Sequence, residues 1–347
     1  MSEENDKEKS IDEAMKIINK KYGSRAILKM DGSEKTNIES ISTGCHSLDY
    51  VFGCGGVPQG RLIEIYGNEG SGKSVMAMFI IAQAQKQGKR VAWIDAEFSF
   101  NTLFASTLGV DVSKLILNQP TTGEEALDIV DKLASTNSID VIVLDSVASL
   151  VPKKELESDL LDQGMALQAR MMSKALRVIT GNVSRTKTAV IFINQLREKV
   201  GIFWGPKELT AGGKALRFYA SVRLEVKKGK NITGKDDEII GNYITVKAVK
   251  NKVGLPWRSV ELELIFRKGI NLSNALLQYA ILRKVVEKSG NTYFFGKEKL
   301  AVGYDSSVDS IENNPELYKR INDKLVEYDK QLNEEQPEES VCEEIDK

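Results

Sequence analysis

The residues with the most definite chemistry lie in the stretch GNEGSGKS, from residue 67 to residue 74. It fits the pattern GxxxxGK[ST], follows the apolar run RLIEIY and opens a helical stretch, which is the context of a phosphate-binding loop. Glycines let backbone N–H groups converge on an anion, and the first turn of a helix adds partial positive charge. The lysine can then reach the β and γ phosphates, while the serine hydroxyl can hold Mg²⁺. The predicted nucleotide-binding residues of this loop are Gly67, Asn68, Glu69, Gly70, Ser71, Gly72, Lys73 and Ser74.

A carboxylate at the end of a second apolar run, VIVLDS, completes the predicted magnesium site. Asp145 ends an apolar run that we predict to be a buried strand. Ligands of open α/β sheets bind at the carboxyl ends of the strands. There its side chain can orient Mg²⁺ together with Ser74. The alternative for Asp145 is a cap on the turn that follows.

Hydrolysis of a nucleotide also needs a group that orients or deprotonates water. The stretch WIDAEFS offers two carboxylates, Asp95 and Glu97. Glu97 lies just past the end of the strand and projects further. We therefore predict that Glu97 is the base and that Asp95 is structural.

A pair of lysines, Lys250 and Lys252, occurs in the stretch VKAVKNK. Residues two apart on a strand share one face. The two cations fit either a solvated sheet edge or a contact with a phosphate from a neighbouring subunit. The spacing does not decide between these alternatives.

The elements that must position these groups alternate between strands and helices. Apolar runs predict strands at 62–66, 91–95, 115–118, 141–145 and 189–194, with helical stretches between them. Such an order is typical of a parallel sheet covered by helices on both faces. The later runs RFYASVRLEV, NYITVKAVK and SVELELIF alternate and predict antiparallel edge strands or hairpins.

Further regions flank this core. Apolar residues at helical spacing predict a short amphipathic helix near 11–22, followed by a polar link to about residue 42. After about residue 269 the chain becomes helical and basic, which indicates a small additional domain. Residues 331–347 hold seven acidic residues and one lysine. Such a tail either aids solubility or competes with a polyanion for a basic surface.

The composition bounds the class of protein. With 41% hydrophobic and 28% charged residues, the chain has the composition of an ordinary globular protein. The charged start MSEENDKEKS and the short apolar run VMAMFIIA predict neither a secretory signal nor a membrane span, so we expect a cytoplasmic protein. Three cysteines and one histidine show no metal-ligand spacing. Cys45 adjoins His46 as a nucleophile adjoins its base, but neighbours in sequence usually point apart.

The stretch GIFWGPKELTAGG, residues 201–213, is bounded by glycines and contains a proline. We predict that it forms no regular structure. Phe203 and Trp204 stand near its centre, and two large aromatic side chains in such a loop require a partner.

Taken together, these motifs resemble those of the bacterial RecA recombinase family. The resemblance extends to about residue 332 and includes ISTGCHSLDYVFGCGGVPQGRLIEIYG, WIDAE, VIVLDSVASLVPKKELE, ARMMSKALR, IFINQLREKVG, GGKALRFYASVRLEV and VKNK. It implies an α/β fold with a RecA-type P-loop ATPase core, whose central sheet is mostly parallel with antiparallel edge strands. It also implies a DNA-dependent ATPase that forms helical filaments on single-stranded DNA, exchanges strands with homologous duplex and promotes self-cleavage of the SOS repressor.

The resemblance implies four parts of the chain. These are an N-terminal oligomerisation helix and linker at 1–36, the ATPase core at 37–269, a small α+β C-terminal domain that binds double-stranded DNA at 270–332, and an acidic disordered tail at 333–347. Lys288, Lys297 and Lys299 would contact duplex phosphates, and the tail would restrain access of the duplex. The implied cofactors are ATP and Mg²⁺, with each ATP held between two subunits of a homo-oligomeric filament.

The resemblance also assigns roles within the nucleotide site. Glu97 is similar to the family's catalytic glutamate, and Gln195 to the residue that senses the γ-phosphate and signals to the adjoining loop. Phe104, near Asn101, takes the place of the aromatic that stacks on adenine. Lys250 and Lys252 match the lysines that reach the ATP of the adjacent subunit.

Two DNA-binding loops of the family correspond to about 157–165 and 197–213. Met165, Val200 and Phe203 are the implied apolar wedges between groups of bases. Three alternatives are open for Trp204: it stacks on a DNA base, it packs on the next subunit, or it anchors the loop. Binding of single strands without sequence preference combines such apolar surface with cations and backbone contacts. The implied backbone contacts are Arg170, Ser173, Arg177, Arg197, Gly212 and Gly213.

Several residues differ from those usual in the family. We expect ATP binding to be retained, because the Ser74 hydroxyl is chemically equivalent to a threonine hydroxyl toward Mg²⁺. The other differences bear on base selectivity, duplex binding and loop stiffness. The differing positions are Asn68, Gly70, Ser74, Asn101, Phe104, Trp204, Pro206 and Tyr304.

Two other function classes share this core fold. A helicase-type hexameric motor is disfavoured because both loops and VKNK match the recombinase pattern. A regulatory paralogue that binds ATP and DNA without efficient strand exchange is disfavoured by the presence of Lys73, Glu97 and Asp145.

Overall fold

The computed structural model describes residues 2–23, 26–27, 29, 38–158, 166–198, 208–234 and 237–335. The chain divides into two compact units, Met1–Ile38 and Glu39–Lys347. The helices are α1 (Ser2–Tyr22), α2 (His46–Phe52), α3 (Lys73–Lys86), α4 (Thr102–Thr107), α5 (Gly123–Ser135), α6 (Lys153–Leu156), α7 (Leu167–Thr186), α8 (Ala215–Tyr219), α9 (Leu272–Leu282), α10 (Tyr304–Glu312) and α11 (Pro315–Glu335). The strands are β1 (Ser40–Ile41), β2 (Val57–Pro58), β3 (Leu62–Gly67), β4 (Val91–Asp95), β5 (Ile116–Asn118), β6 (Val141–Asp145), β7 (Ala189–Glu198), β8 (Glu208–Thr210), β9 (Val222–Thr233), β10 (Ile239–Asn251), β11 (Ser259–Ile265), β12 (Gly269–Ile270), β13 (Val286–Ser289), β14 (Thr292–Phe295) and β15 (Glu298–Val302).

The first unit contains the long helix α1, which begins nine residues earlier than its apolar pattern predicts. Within this unit the Asn19 side chain is hydrogen-bonded to the backbone N–H and C=O of Ile27, at 3.1 and 3.2 Å. Two of the apolar side chains of α1, Ile11 and Ile17, are exposed.

The second unit is built on one large sheet with the strand order β12-β11-β10-β9-β3-β7-β6-β4-β5, and β8 pairs with β7. Strands β9, β3, β7, β6, β4 and β5 run parallel. Strands β10, β11 and β12 continue the sheet in antiparallel fashion. The expected mostly parallel sheet with antiparallel edge strands is confirmed.

Helices cover both faces of this sheet, which is why its central strands are continuously apolar. One core packs α3, with Met76 and Ile80, against one face of the sheet. The other core packs α5 and α7, with Met172 and Leu176, against the opposite face. Because β3, β4 and β6 are buried along their whole length, their carboxyl ends are held rigidly at one edge.

Three local predictions were wrong. Part of the run RFYASVRLEV forms helix α8, and the strand that follows, β9, pairs in parallel with β3 because the helix carries the chain back across the sheet. Residues 208–210, predicted as irregular, form β8 and satisfy the backbone groups of the extended end of β7. Strand β5 lies at the sheet edge, so Ile116 and Leu117 are exposed and not covered.

The residues after 270 surround a separate apolar cluster with α9, the antiparallel sheet β13-β14-β15, α10 and α11. Contacts with α2 attach this cluster to the rest of the unit. His46 Nε2 lies 2.8 Å from Asn322 Oδ1, and the Tyr50 ring lies between the guanidinium groups of Arg258 and Arg283, at 4.2 and 4.8 Å. Among the described residues, no helix has the length and apolar character needed to span a bilayer.

Candidate active site

The phosphate loop connects β3 to α3 and has the geometry of an anion-binding nest. Gly70 and Gly72 have φ values of 66° and 89°, in the left-handed region that favours glycine. A Cβ on Gly67 would lie 2.1 Å from the Val226 carbonyl oxygen, so no side chain fits there. The buried Ser71 Oγ has no hydrogen-bond partner among the described residues. A polar atom of this kind, beside a helix N-terminus, fits a phosphate oxygen.

Lys73 and Asp145 are a buried pair of opposite charges at the end of the sheet. Lys73 is 8% exposed, its Nζ donates a hydrogen bond to the Asn68 carbonyl oxygen at 2.7 Å, and burial lowers its pKa. Burial raises the pKa of Asp145 to about 6, although a hydrogen bond from the Ser74 side chain and the nearby Lys73 favour the charged form. A bound cation would favour the Asp145 carboxylate further.

The oxygen donors here fit Mg²⁺. Ser74 and Asp145 are hydrogen-bonded and offer a hydroxyl and a carboxylate, and Mg²⁺ takes few protein ligands beside water and substrate phosphates. Within the described ranges there is no group of three or more His, Cys, Asp or Glu side chains that could hold a metal by itself. The phosphates of a nucleotide would therefore have to complete the coordination.

Glu97 lies just past β4 and is exposed, and three side chains donate to its Oε1 atom. Ser146 Oγ lies 2.5 Å away, Gln195 Nε2 lies 3.1 Å away and Ser149 Oγ lies 3.4 Å away. Glu97 is thus an accessible carboxylate near Lys73, and its position is fixed by three donors.

Asp95 differs from Glu97 because it is buried and its oxygens are occupied. They accept hydrogen bonds from the backbone N–H groups of Ser99 and Phe100, at 3.2 and 3.0 Å, and from Gln119 Nε2 at 2.9 Å. This geometry agrees with a structural role for Asp95.

A cavity of about 330 Å³ adjoins the phosphate loop. Phe104 on α4 and Phe266 just past β11 both line it, and Phe266 is 50% exposed. Asn101 lies beside it and caps α4 by accepting a hydrogen bond from the backbone N–H of Phe104 at 2.9 Å. The lining residues are Gly70, Gly72, Lys73, Ser74, Val75, Phe104, Leu108, Asn242, Leu264, Ile265 and Phe266.

Lys250 and Lys252 stand at the end of β10, away from this cavity. Lys250 Nζ donates to the carbonyl oxygens of Arg217 and Phe218, at 2.7 and 3.0 Å, where α8 ends. Burial and the neighbouring Lys252 lower the pKa of Lys250 to about 8. In the single chain Lys250 therefore contacts a helix terminus, and the lysine pair does not contact the chain's own phosphate loop.

Comparison with known families agrees with this architecture. The RecA N-terminal domain model matches residues 9–271, and the RecA C-terminal domain model matches residues 274–328. The chain belongs to the RecA family. It is therefore a recombinase with an ATP-binding phosphate loop.

Individual RecA proteins are similar over most of this chain. Protein RecA of Fusobacterium nucleatum is 46% identical over 321 residues, covering 92% of this chain and 85% of that protein. Protein RecA of Thermus aquaticus is 44% identical over 324 residues, covering 93% and 95%. The crystal structure of the RadB recombinase matches with a TM-score of 0.50 at 23% identity, over 66% of this chain and 98% of that one, which supports the fold alone.

The RecA-family candidates for DNA contact on α7 share one face of the helix. Arg170, Ser173 and Arg177 are spaced by three and four residues, so their side chains lie one above another. Both arginines are exposed. Arg197 is also exposed and lies near the end of β7, opposite Leu209 in β8.

Gly212 and Gly213 pack directly against the start of α7. Their φ values are 76° and 79°, and a Cβ on either would approach Val147 Cγ1 or Ala169 Cβ to 2.8 Å. The backbone N–H of Gly212 donates to Gln168 Oε1 at 3.2 Å. Gly213 and the start of α7 therefore meet at the protein surface, while Gly212 is buried.

Sequence reasoning missed a buried polar network beneath this surface. Glu64 on β3 pairs with Arg223 on β9 at 2.5 Å, and both side chains are nearly inaccessible. Asn194 Nδ2 donates to Glu64 Oε1 at 2.9 Å and to the Ala211 carbonyl oxygen at 3.1 Å. The signal in the sequence was a charged residue in each of two apolar strands, which requires an internal partner.

Phe266 and the serines around Glu97 were also missed. Phe266, which ends the run SVELELIF, lines the cavity beside the phosphate loop, and its position depends on the antiparallel pairing of β10 and β11. Ser146 and Ser149 follow Asp145 in VIVLDSVAS, where the sequence gives hydroxyl groups but no partner.

The remaining predicted residues fall into three groups. Met165, Val200, Phe203 and Trp204 lie outside the described residues, as do 336–347 of the predicted tail. Lys288, Lys297 and Lys299 are exposed on or between the strands of the sheet β13-β14-β15. Tyr304 is half-buried and donates to Asn274 Oδ1 at 3.1 Å.

Cys45 and His46 do not form a nucleophile and base. The Cys45 thiol is buried beside Ser47 Oγ at 3.2 Å, and burial raises its pKa to about 11. The His46 ring instead stacks on Tyr279 and lies at Asn322.

Proposed function

We propose that this recombinase is a DNA-dependent ATPase that forms helical filaments on single-stranded DNA and catalyses homologous pairing and strand exchange. One observation carries the proposal: Gln195 contacts both Glu97 and the segment that leads to Gly212. Its side chain donates to Glu97 Oε1, and its backbone carbonyl oxygen accepts a hydrogen bond from Ala211 N at 3.3 Å, next to Gly212. A change at the γ-phosphate can thus reach the loop through one residue.

The proposed hydrolysis uses Glu97 as the base. As a water oxygen bonds to the γ-phosphorus, Glu97 takes a proton from that water. The bond from phosphorus to the bridging oxygen breaks, and its electron pair leaves with ADP. Lys73 and the backbone N–H groups of the loop stabilise the phosphate charge. Mg²⁺, held by Ser74 and Asp145, would neutralise charge on the β and γ oxygens.

The base of the nucleotide would occupy the cavity between Phe104 and Phe266. Two aromatic side chains suit stacking on a flat base. Phe104 has no hydroxyl, so recognition there relies on stacking and shape, with Asn101 engaged as a helix cap.

Each ATP would be held between two subunits. Lys250 and Lys252 lie away from their own phosphate loop, and a filament of repeated head-to-tail contacts would bring them to the ATP of an adjacent subunit. To reach it, Lys250 would exchange the carbonyl oxygens of α8 for phosphate oxygens. ATP binding would then strengthen the subunit contact.

Single-stranded DNA would follow the face formed by α7, Arg197, Gly212 and Gly213. The exposed arginines suit a phosphate backbone of any sequence, whereas the backbone N–H of the buried Gly212 is bonded to Gln168 in this structure. The apolar wedges of this proposal, at Met165, Val200 and Phe203, with Trp204 beside them, belong to the two loops at 157–165 and 197–213.

The segments on either side of the ATPase core would have separate roles. Residues 1–36 would dock on the neighbouring subunit, and the exposed Ile11 and Ile17 supply apolar surface for this contact. Residues 37–269 would form the ATPase core, residues 270–332 would bind duplex DNA through Lys288, Lys297 and Lys299, and the acidic residues 333–347 would restrain duplex access. A cytoplasmic location and an SOS repressor as a further partner remain predictions.

Strand exchange between a circular single strand and a homologous linear duplex tests the proposed function. We expect joint molecules only with ATP and with homologous duplex, together with helical filaments in electron micrographs. A Lys73→Ala variant provides the matched control. ATP turnover and DNA binding without joint molecules would support the regulatory paralogue, and closed hexameric rings would support the motor.

A further inference from the structure

Two serines surround the proposed base at the end of β6. Ser146 directly follows Asp145 and is fully buried, and Ser149 ends the short 3₁₀ helix Val147–Ser149. Their hydroxyl oxygens lie 3.4 Å apart and donate to Glu97 Oε1 at 2.5 and 3.4 Å. The phosphate and the metal sites described above make no use of Ser149.

The hydrogen bonds converge on one of the two carboxylate oxygens. Gln195 Nε2 also reaches Glu97 Oε1, at 3.1 Å. Within the part of the chain that the structure describes, no hydrogen bond is formed to Glu97 Oε2. Donors on one oxygen fix the plane of a carboxylate and leave the lone pairs of the other oxygen available to a water proton.

The position of Ser146 offers an ordinary structural role that its hydroxyl does not take. Ser146 is the N-cap residue of the 3₁₀ helix, and serine at an N-cap usually accepts a hydrogen bond from the following backbone. Here its side chain makes no capping hydrogen bond. The hydroxyl is used for Glu97.

We infer that Ser146 and Ser149 are positioning residues for ATP hydrolysis, which hold Glu97 Oε1 so that Oε2 faces the attacking water. The inference rests on the proposed role of Glu97 as the base. Glu97 is exposed and has three rotatable side-chain bonds, so without fixed partners it samples several rotamers.

The serines matter because the third donor, Gln195, is also the proposed sensor of the γ-phosphate. If its amide turns toward that phosphate, it no longer donates to Glu97 Oε1. At that moment the serines are the donors that keep Glu97 in place. The backbone of both serines belongs to the 3₁₀ helix or its N-cap, and their hydroxyl oxygens lie 3.4 Å from each other.

Steady-state ATP hydrolysis with single-stranded DNA tests this role in Ser146→Ala, Ser149→Ala and the double variant. We expect the double variant to lower kcat about tenfold or more, as misplacement of a catalytic group does, with KM for ATP unchanged. Ser149→Thr keeps the hydroxyl and should retain turnover. Ser135→Ala, on the surface end of α5, is the matched control.

The same serine changes in a Glu97→Gln background separate positioning from structure. If the serines act through Glu97, their loss should not lower the residual turnover further. Affinity for a slowly hydrolysed ATP analogue and the midpoint of thermal unfolding should also stay unchanged. If Ser146→Ala disturbs the adjacent Asp145, the same comparison is made with Ser149→Ala alone.

Two results would overturn the inference while leaving the proposed function intact. One is an equal loss of turnover from the serine changes in both backgrounds, and the other is unchanged kcat in the double variant. Wild-type protein without DNA-stimulated hydrolysis would overturn the proposed function first, and the inference with it.

Discussion

Gln195 Nε2 donates a hydrogen bond to Glu97 Oε1 at 3.1 Å, across the strand β6 that separates their own strands. Gln195 lies within β7 and pairs in register with Gly67, the first residue of the phosphate loop. The backbone of these strands is rigid, so the movable part of this contact is the glutamine side chain. A rotation of that side chain changes the contact with Glu97, while the backbone carbonyl oxygen of the same residue is bonded to Ala211 N, next to Gly212.

Lys73→Ala should remove most of the affinity for ATP. The change deletes a buried cation beside Asp145 and leaves the carboxylate and the incoming phosphates without compensation. We expect an affinity loss of about 100-fold, or about 2.7 kcal/mol. Titration with a fluorescent ATP analogue measures it.

Lys86→Ala is the control for Lys73, because Lys86 lies on the same helix in its last, exposed turn. Its affinity should equal that of the wild type. Equal losses in the two variants would show that Lys73 has no special contact with phosphate.

Gly212→Ala should weaken both folding and the response to DNA. An alanine in the left-handed region costs about 1–2 kcal/mol, and its Cβ would lie 2.8 Å from Val147 Cγ1. We expect a lower unfolding temperature and a smaller stimulation of ATP turnover by single-stranded DNA. Gly181→Ala is the control within α7, because a Cβ there would meet no atom of another segment within 4 Å. It should raise helix stability by up to about 1 kcal/mol and leave the stimulation by DNA unchanged.

Arg170→Ala and Arg177→Ala should weaken single-strand binding in a salt-dependent way. Each lost phosphate contact should reduce the slope of log affinity against log salt by about 0.7. Fluorescence anisotropy at several salt concentrations measures the slope. Arg185→Ala, in the last turn of the same helix, should leave it unchanged, and equal slopes in all three variants would contradict the proposed DNA path.

The assembly contact of Lys250 should depend on pH. Burial, Lys252 and Arg223 lower its pKa to about 8 from 10.5, while Glu64 acts in the opposite direction. The cation offered to a neighbouring ATP is therefore lost as pH rises from 7 to 9, so filament length should decrease. Lys250→Arg, which stays charged, should keep long filaments at pH 9.

The contribution of Lys250 to the stability of the single chain should change with pH in the opposite direction to filament length. Between pH 8 and 10.5 the native state binds fewer protons at Lys250 than the unfolded state. This residue's contribution to the free energy of unfolding therefore rises with pH over that window. Shorter filaments accompanied by a lower unfolding temperature would contradict the assigned role of Lys250.

The sequence pattern was sufficient where a residue's position depends on local structure. The phosphate loop, Asp145 and Glu97 each lie at or just past the end of a buried apolar strand, and parallel strands bring their carboxyl ends to one edge. Strands β3, β4 and β6 were predicted within one residue of their observed bounds.

The sequence pattern was insufficient where the position of a residue depends on pairing between distant segments. Arg223 compensates the charge of Glu64 only because β9 pairs in parallel with β3, and the alternation of β9 indicated an antiparallel edge strand. Phe266 likewise lines the cavity beside the phosphate loop only once β11 is placed beside β10. Such contacts are fixed by tertiary packing and not by local spacing.

The most direct test of the proposed function is steady-state ATP hydrolysis with and without single-stranded DNA, for the wild type and for Glu97→Gln. We predict that DNA strongly stimulates turnover by the wild type, and that Glu97→Gln loses this stimulation but retains ATP affinity and single-strand binding. Stimulated turnover that survives in Glu97→Gln would contradict the assignment of the base. Wild-type protein that binds ATP and DNA but shows no stimulated turnover would contradict the coupling between them.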